Sequence, residues 1–485
     1  MADQVDLIVK NGTVVTPDAT FKADVAVDGG KFVAIAAPGA LGLTGKEEYD
    51  ASGKYVIPGV IDGHVHFREP GLEYKEDWRT GSTAAVMGGV TTVIEMPNTN
   101  PKTDTVAGVE LKKKLAEEKS YVDFGIIGLL VQDSVPALKS LAEAGVVGYK
   151  CFLGETIGNI PAPDDGMMLD GLREIAETGL RIGFHAENNE IMQHLVRQMK
   201  AAGRNDPLAH VDSRPPLAEV ESIQRMGLYA RHVGTKIHIF HLSSREGLDM
   251  IDEWRAKGVD VTCETGGHYV FLKAEEMATL GPRLRMNPPV RYGSEGHGDY
   301  LLAGLNDGRV DQIATDHSPH TAEEKLNDDI WKALSGFPGV ETSVRFFLTN
   351  GVNAGRMTLQ QFVRATSEGP ARTWDIYPQK GAIAIGSDGD LTILDLDKEG
   401  VIRDDDLHSK NHVTPFDGRK TKGMPVATIV RGTIVMRDGE LIGEPGGRMV
   451  RPVPQASTAN RGSAKTNAGH GGGMMARSHP RSITT

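Results

Sequence analysis

The alternation of hydrophobic and polar positions changes rhythm twice along the chain. From Asp6 to about Ala37, short apolar runs (Leu7-Ile-Val-Lys, Val14-Val15, Asp24-Val-Ala-Val and Phe32-Val-Ala-Ile) are separated by turn signals at Asn11-Gly12 and Asp28-Gly-Gly30. This predicts a β-meander. The same character returns at Asp390-Leu-Thr-Ile-Leu-Asp395 and at Ala427-Thr-Ile-Val-Arg-Gly-Thr-Ile-Val-Met436, closed by Asp438-Gly439. A sheet of three or four short strands is marginal alone. The two ends, residues 1–55 and 381–451, are therefore expected to form one small β-sandwich domain.

Between them, apolar strands alternate with helical stretches, the pattern of parallel βα units. Eight strand candidates run from Tyr55 to His66, Thr91 to Pro97, Tyr121 to Gly128, Val146 to Leu153, Arg181 to Glu187, Lys236 to Ser244, Asp260 to Gly266 and Gln312 to Pro319. Eight units predict an α/β fold, a (β/α)8 TIM barrel over residues 56–380. A doubly wound open sheet is the alternative, but no Gly-x-Gly-x-x-Gly follows any of these strands. Residues 452–485 shift to Ser, Thr, Asn, Gly, Arg and Lys with no aromatic, and include Gly471-Gly-Gly473. They read as a flexible tail, or as a segment laid across a neighbouring subunit.

Composition narrows the partners. With 39% hydrophobic and 24% charged residues, the 485-residue chain is an ordinary soluble globular protein, and its formal net charge of −12 offers no basic footprint for nucleic acid or anionic membranes. A small-molecule ligand is expected instead. The two cysteines, Cys151 and Cys263, are too few for a disulfide scaffold and fit a reducing compartment. The start lacks a basic, apolar leader, and no run approaches the roughly 18 apolar residues of a membrane span. The expected location is the cytoplasm.

The candidate chemistry lies where a barrel enzyme keeps it, at the C-terminal ends of the strands. Val56-Ile-Pro-Gly-Val-Ile-Asp-Gly-His-Val-His-Phe-Arg68 ends an apolar strand in His-x-His. Alternation puts His64 and His66 on one face, where two imidazoles can grip a metal. Strand five offers His185. On strand six, alternation groups Ile237, Ile239 and His241 against His238 and Phe240, and His241 is expected to face inward because it is nearer the C-terminal end. Lys150 sits in the apolar strand Val146-Val-Gly-Tyr-Lys-Cys-Phe-Leu153, where a lone ammonium is costly. It is either half of a buried ion pair or a neutral amine that has reacted with CO2 to give a bridging carbamate. With the carbamate, four histidines would hold two divalent ions, zinc being favoured by imidazole ligation. Asp316, in Ala314-Thr-Asp-His-Ser-Pro-His320, can ligate one ion and move a proton between an attacking hydroxide and a leaving nitrogen.

Taken together, these motifs resemble the amidohydrolase superfamily and, within it, the cyclic-amide hydrolases that include dihydroorotase, allantoinase and hydantoinase. The resemblance runs from about Leu7 to Arg451 and implies a two-zinc site formed by His64, His66, carbamylated Lys150, His185, His241 and Asp316. It also implies that Arg68, Asn98 in Met96-Pro-Asn-Thr99, and His320 hold a substrate carboxylate, as in dihydroorotases, against the plainer reading of Arg68 as a surface ion-pair partner of Glu69 or Glu73. Thr156 in Gly154-Glu-Thr156, Asn287 in Met286-Asn-Pro-Pro289, and the Gly336-Phe-Pro-Gly339 turn match segments that approach the ring.

Other stretches, Lys150-Cys151-Phe152, Asp329-Ile-Trp-Lys332 and Gly266-Gly267-His268, look as much like allantoinase or depart from both. The expected function is thus dihydroorotase, reversible hydrolysis of dihydroorotate to N-carbamoyl-aspartate. Allantoinase or hydantoinase activity is the alternative, and an inactive scaffolding homologue is a third. A homo-oligomer, dimer or tetramer, is expected.

Overall fold

The computed structural model describes residues 4–155 and 160–453. Residues 4–452 belong to one compact unit. The expected tail lies outside the described residues apart from Pro452 and Val453.

Five N-terminal strands, β1 (Gln4–Val15), β2 (Thr20–Asp28), β3 (Lys31–Ala36), β4 (Thr44–Asp50) and β5 (Tyr55–Pro58), precede the barrel strands. These are β6 (Val60–Val65), β7 (Val90–Glu95), β8 (Asp123–Leu129), β9 (Gly148–Phe152), β10 (Ile182–His185), β11 (Ile237–Ile239), β12 (Val261–Thr265) and β13 (Gln312–Ile313). Four more follow, β14 (Leu391–Val401), β15 (Lys420–Val430), β16 (Thr433–Arg437) and β17 (Glu440–Leu441).

The barrel strands lie side by side in chain order, all parallel. The ring closes where Val65 bridges His317 and the His66 N–H donates to the His317 carbonyl at 2.7 Å. An open doubly wound sheet is thereby ruled out. Helices between the strands start on side-chain caps: Asp77, Thr105, Asp164, Asn188 and Ser244 each accept a backbone N–H from the first turn. Inside the ring, Ile61, Ile94, Met96, Ile127, Val147 and Phe240 pack with Trp374 into an apolar core.

The other nine strands form one mixed sheet, in which β5 pairs with both β1 and β14 and so joins the two chain ends. Leu7, Val25 and Phe32 from the first end share a buried cluster with Leu391, Ile393 and Ile429 from the second. Three details differ from the sequence reading. Asn11-Gly12 is not a hairpin turn: the chain runs through it as a bulge in β1, with Asn11 at φ 61°, and the register with β2 shifts between Val9 and Gly12. The run Tyr55–His66 is two strands in two sheets, because the chain leaves β5 at Pro58 and enters the barrel at Val60. Ala427–Met436 is likewise divided, by a tight turn at Arg431-Gly432.

Sheet and barrel meet over buried charge. Lys380, 1% exposed, pairs with Asp390 at 2.7 Å, Asp388 at 3.0 Å and Asp123 at the head of β8, while Arg431 also grips Asp123. Removing the central cation would leave carboxylates buried with too little counter-charge. Lys380→Met is expected to cost about 3–5 kcal/mol, read as a lower urea midpoint of unfolding; an unchanged midpoint would show the cluster to be energetically neutral.

Candidate metal centre

His64 and His66 share one side by alternation, and an irregularity in β6 turns that side inward. Val60 and Val65 pack outward against the helices and Ile61 packs inward, and the register with β7 shifts between Asp62 and Val65. In β9, Tyr149 and Cys151 point outward while Lys150 points in. In β10, Gly183 precedes the inward His185, and its lack of a side chain is required, since a Cβ there would lie 2.1 Å from the Phe240 ring.

β11 corrects the sequence reading. Ile237 and Ile239 face the helices, whereas His238 and Phe240 face the interior. The strand stops at Ile239, and His241 reaches the mouth because its backbone turns left-handed, at φ 39°.

Six predicted groups therefore meet. Asp316 Oδ1 is 3.2 Å from His64 Nε2 and 3.1 Å from His66 Nε2. Lys150 Nζ is 2.8 Å from His64 Nε2, and His185 Nδ1 is 2.9 Å from His241 Nε2. Burial, with the Lys150 charge adding to it, holds the His64 and His66 imidazoles well below their ordinary range; burial and the neighbouring His185 do the same for His241. Burial likewise lowers His185. Lys150 is lowered by burial to about 8. It makes no ion pair among the described residues, so the alternative of a buried ion pair finds no partner; its ammonium lies over the Phe152 and Phe240 rings instead.

Three side chains aim these rings: Glu264 and Glu187, which the sequence reading passed over, and Asn98, which it assigned to the substrate. His64 Nδ1 meets Glu264 Oε1 at 2.5 Å, His66 Nδ1 meets Asn98 Oδ1 at 2.7 Å, and His185 Nε2 meets Glu187 Oε2 at 2.9 Å. An acceptor on one ring nitrogen leaves the lone pair on the other. Burial pushes Glu187 up, but the paired Arg214 guanidinium and the His185 ring bring it well below the usual carboxylate range.

Among the described residues, three of the seven non-glycine residues at positive φ, Arg68 (65°), His241 (39°) and Asp316 (49°), belong to the site. Each has a buried carboxylate on an adjacent peptide N–H: Glu95 on Phe67 at 2.8 Å, Glu264 on His241 itself at 3.3 Å, and Asp62 on Thr315 at 3.1 Å. Burial raises Asp62 and Glu95 to about 7 and Glu264 to about 8, against opposing pulls from Thr315, Lys112 and Lys150 respectively. The signal that could have found Glu95, Glu187 and Glu264 is the one that found Lys150, an ionisable residue within or just after an apolar strand.

The mouth is a cavity lined by His66, Arg68, Asn98, Asn287, Ser335 and Gly336 beside Lys150, His185, His241 and Asp316. Arg68 is no surface residue: it is 1% exposed, and Glu69 pairs with Lys119 instead. His320 lies behind Arg68 rather than on the cavity wall. Its Nδ1 faces Lys75 Nζ at 3.1 Å, and its Nε2 faces the Ser335 carbonyl at 3.1 Å and Arg68 at 3.4 Å. Thr156 lies outside the described residues.

Residues 55–435 match the model of the Amidohydrolase family. The chain belongs to the amidohydrolase family. An L-hydantoinase from Paenarthrobacter aurescens is 39% identical over 91% of this chain and 96% of its own, and an allantoinase from Solibacter usitatus is 37% identical over 92% and 97%. A dihydroorotase from Methanothermobacter thermautotrophicus is 38% identical over 95% of this chain and 100% of its own. The solved L-hydantoinase (dihydropyrimidinase) of Arthrobacter aurescens superposes with a TM-score of 0.90 at 38% identity, covering 92% of this chain and all of that one.

This amidohydrolase is thus an enzyme of the cyclic-amide-hydrolysing group. Its donors suit a divalent metal: the described residues converge His64, His66 and Asp316 atoms within 4.8 Å of one another, the imidazoles are kept neutral, and the buried His241 Nδ1 has no hydrogen-bond partner. Asp62 supports the strand end that carries Asp316 through Thr315, and it also accepts from the His64 N–H. Asp62→Ala is expected to let Asp316 shift and to lower kcat by about 100-fold on whichever ring amide the enzyme opens fastest, with the circular-dichroism spectrum unchanged. Wild-type kcat would show that Asp316 needs no such support.

Proposed function

We propose that this amidohydrolase opens the ring amide of a cyclic ureide of the hydantoin, allantoin or dihydropyrimidine kind, using two zinc ions held by His64, His66, His185, His241, Asp316 and a carbamylated Lys150. The observation that carries the proposal is the meeting of four imidazoles, one lysine amine with no ion-pair partner among the described residues, and one carboxylate at a single barrel mouth. Full-length relatives named hydantoinase and allantoinase point the same way. An amine lowered to about 8 is partly neutral at physiological pH. Its nitrogen can then bond the carbon of CO2 and release a proton, turning a cation into a carboxylate.

Bound divalent ions would supply Lewis acidity, polarising a carbonyl oxygen and making hydroxide available near neutral pH. The protein supplies the rest. Asp316 faces the cavity and accepts the proton of the attacking water, then delivers it to the ring nitrogen as the C–N bond breaks. Asn98 and Asn287 offer amide groups to the ring, and Asn287 Oδ1 is buried without a partner. Asn98 has a second task, since its Oδ1 is already engaged by His66.

A second reading, dihydroorotate hydrolysis, is favoured by Arg68. Its guanidinium lines the cavity, makes no ion pair among the described residues and leaves Nε without a hydrogen-bond partner. A buried cation with open donors suits an anionic substituent on the ring.

Zinc- and bicarbonate-loaded protein should be assayed side by side on hydantoins, allantoin and dihydroorotate. Turnover of at least one is expected, and none at all would defeat the proposal. Asp316→Asn should lower kcat on the active substrate by about 10⁴-fold; retained activity would remove its assigned role. Arg68→Met separates the readings. On a carboxylated ring it is expected to lower kcat/KM by about 100-fold and on an uncharged ring by only a few-fold. Equal effects on both would exclude carboxylate recognition by Arg68.

A further inference from the structure

Glu264, on β12, is 1% exposed and faces the barrel interior. Its Oε1 accepts the His64 Nδ1–H at 2.5 Å and the His241 backbone N–H at 3.3 Å. Its Oε2 accepts the Gln312 amide at 3.0 Å and lies 3.2 Å from His238 Nε2, whose ring is held on the other side by Thr262 at 2.9 Å. One carboxylate therefore ties together β6, the end of β11 and β13 while standing on β12. A carboxylate is an expensive way to fill an apolar barrel unless its lone pairs are used, and here each oxygen faces two donors.

We infer that Glu264 is a positioning residue for the metal centre, acting on two histidines at once. By accepting from Nδ1 it fixes the His64 tautomer, so that the Nε2 lone pair faces Lys150 and Asp316. By holding the His241 N–H it anchors the left-handed turn that swings the His241 ring into the mouth. His64 belongs to the group around Asp316 and His241 to the pair with His185, so the two halves of the site share one support. The inference rests on the proposed metal-binding role of those histidines.

The test uses full-length protein, wild type and Glu264→Gln, each loaded with zinc and bicarbonate. Glutamine has the same size but places an NH2 where an acceptor is required. Zinc retention is measured by competition with a chelator and by elemental analysis after desalting, beside kcat, KM and thermal unfolding. The expected result is about 10–100-fold weaker zinc retention, a matching fall in kcat and a KM within a few-fold of wild type. A purely structural role would lower the unfolding temperature and leave zinc retention unchanged; that result overturns the inference.

If Glu264→Gln does not fold, Gln312→Met decides, since it removes one donor from Oε2 and touches no proposed ligand. Weaker zinc retention at the wild-type unfolding temperature supports the inference, and wild-type retention overturns it. Wild-type protein that itself retains no zinc overturns this inference together with the metal-site reading beneath it. Full retention by Glu264→Gln overturns this one alone.

Discussion

Side chains seldom sit on left-handed backbone, and each non-glycine residue held there costs of order 1–3 kcal/mol. Arg68, His241 and Asp316 all do so, at the ends of three different barrel strands. The strain is tolerated because buried carboxylates hold the neighbouring peptide groups: Glu95 at Phe67, Glu264 at His241, Asp62 at Thr315. Each carboxylate stands on one strand and reaches to another. The mouth of the barrel is therefore preorganised by interactions across the ring, and no single strand determines where its own functional side chain points. A parallel ladder fixes strand spacing, whereas the aim of the rings comes from this layer of buried carboxyl groups beneath them.

That division explains what could be read from the sequence. The barrel was legible because apolar strands recur with helical stretches between them, and the composite sheet because its two ends share a turn-rich, alternating character. His64, Lys150, His185 and Asp316 were legible because each stands at or near the end of an apolar strand. His241 was selected through an alternation that the structure does not keep: β11 ends two residues earlier, and a left-handed turn performs what strand geometry was expected to do. A backbone that leaves its ladder has no periodicity to read. The supports stand in or just after apolar strands as Lys150 does, but the groups they hold, Phe67 by Glu95, Arg214 by Glu187 and His64 by Glu264, are 28, 27 and 200 residues away, so no local pattern reports the pairing. Asn11-Gly12 has the composition of a hairpin turn and is a bulge, because β1 continues past it to pair with β5.

Reaction and substrate are encoded in different layers of the same mouth. The imidazoles, Lys150 and Asp316 face one another and would be needed for opening any ring amide. Arg68, Asn287, Ser335 and Gly336 line the rest of the cavity, where the proposed ring would meet them. Relatives named hydantoinase, allantoinase and dihydroorotase all align over nearly the whole chain at 37–39% identity, so overall identity does not separate them.

The wall itself carries an asymmetry that bears on substrate choice. Around Arg68 the nearest groups with hydrogen-bonding capacity include His320, and His320 is already engaged by Lys75 and the Ser335 carbonyl. If Nδ1 accepts from Lys75, Nε2 carries the hydrogen given to Ser335 and cannot also accept from Arg68; the 3.4 Å approach is then two donors side by side. Burial works against the Arg68 charge, and the carboxylates of Asp316, Glu95, Glu324 and Glu76 offset it only from a distance. Among the described residues this guanidinium has no ion-pair partner, and a ring carboxylate would provide one. Under either proposed reading, Arg68 is the wall side chain at which an anionic and an uncharged ring would differ.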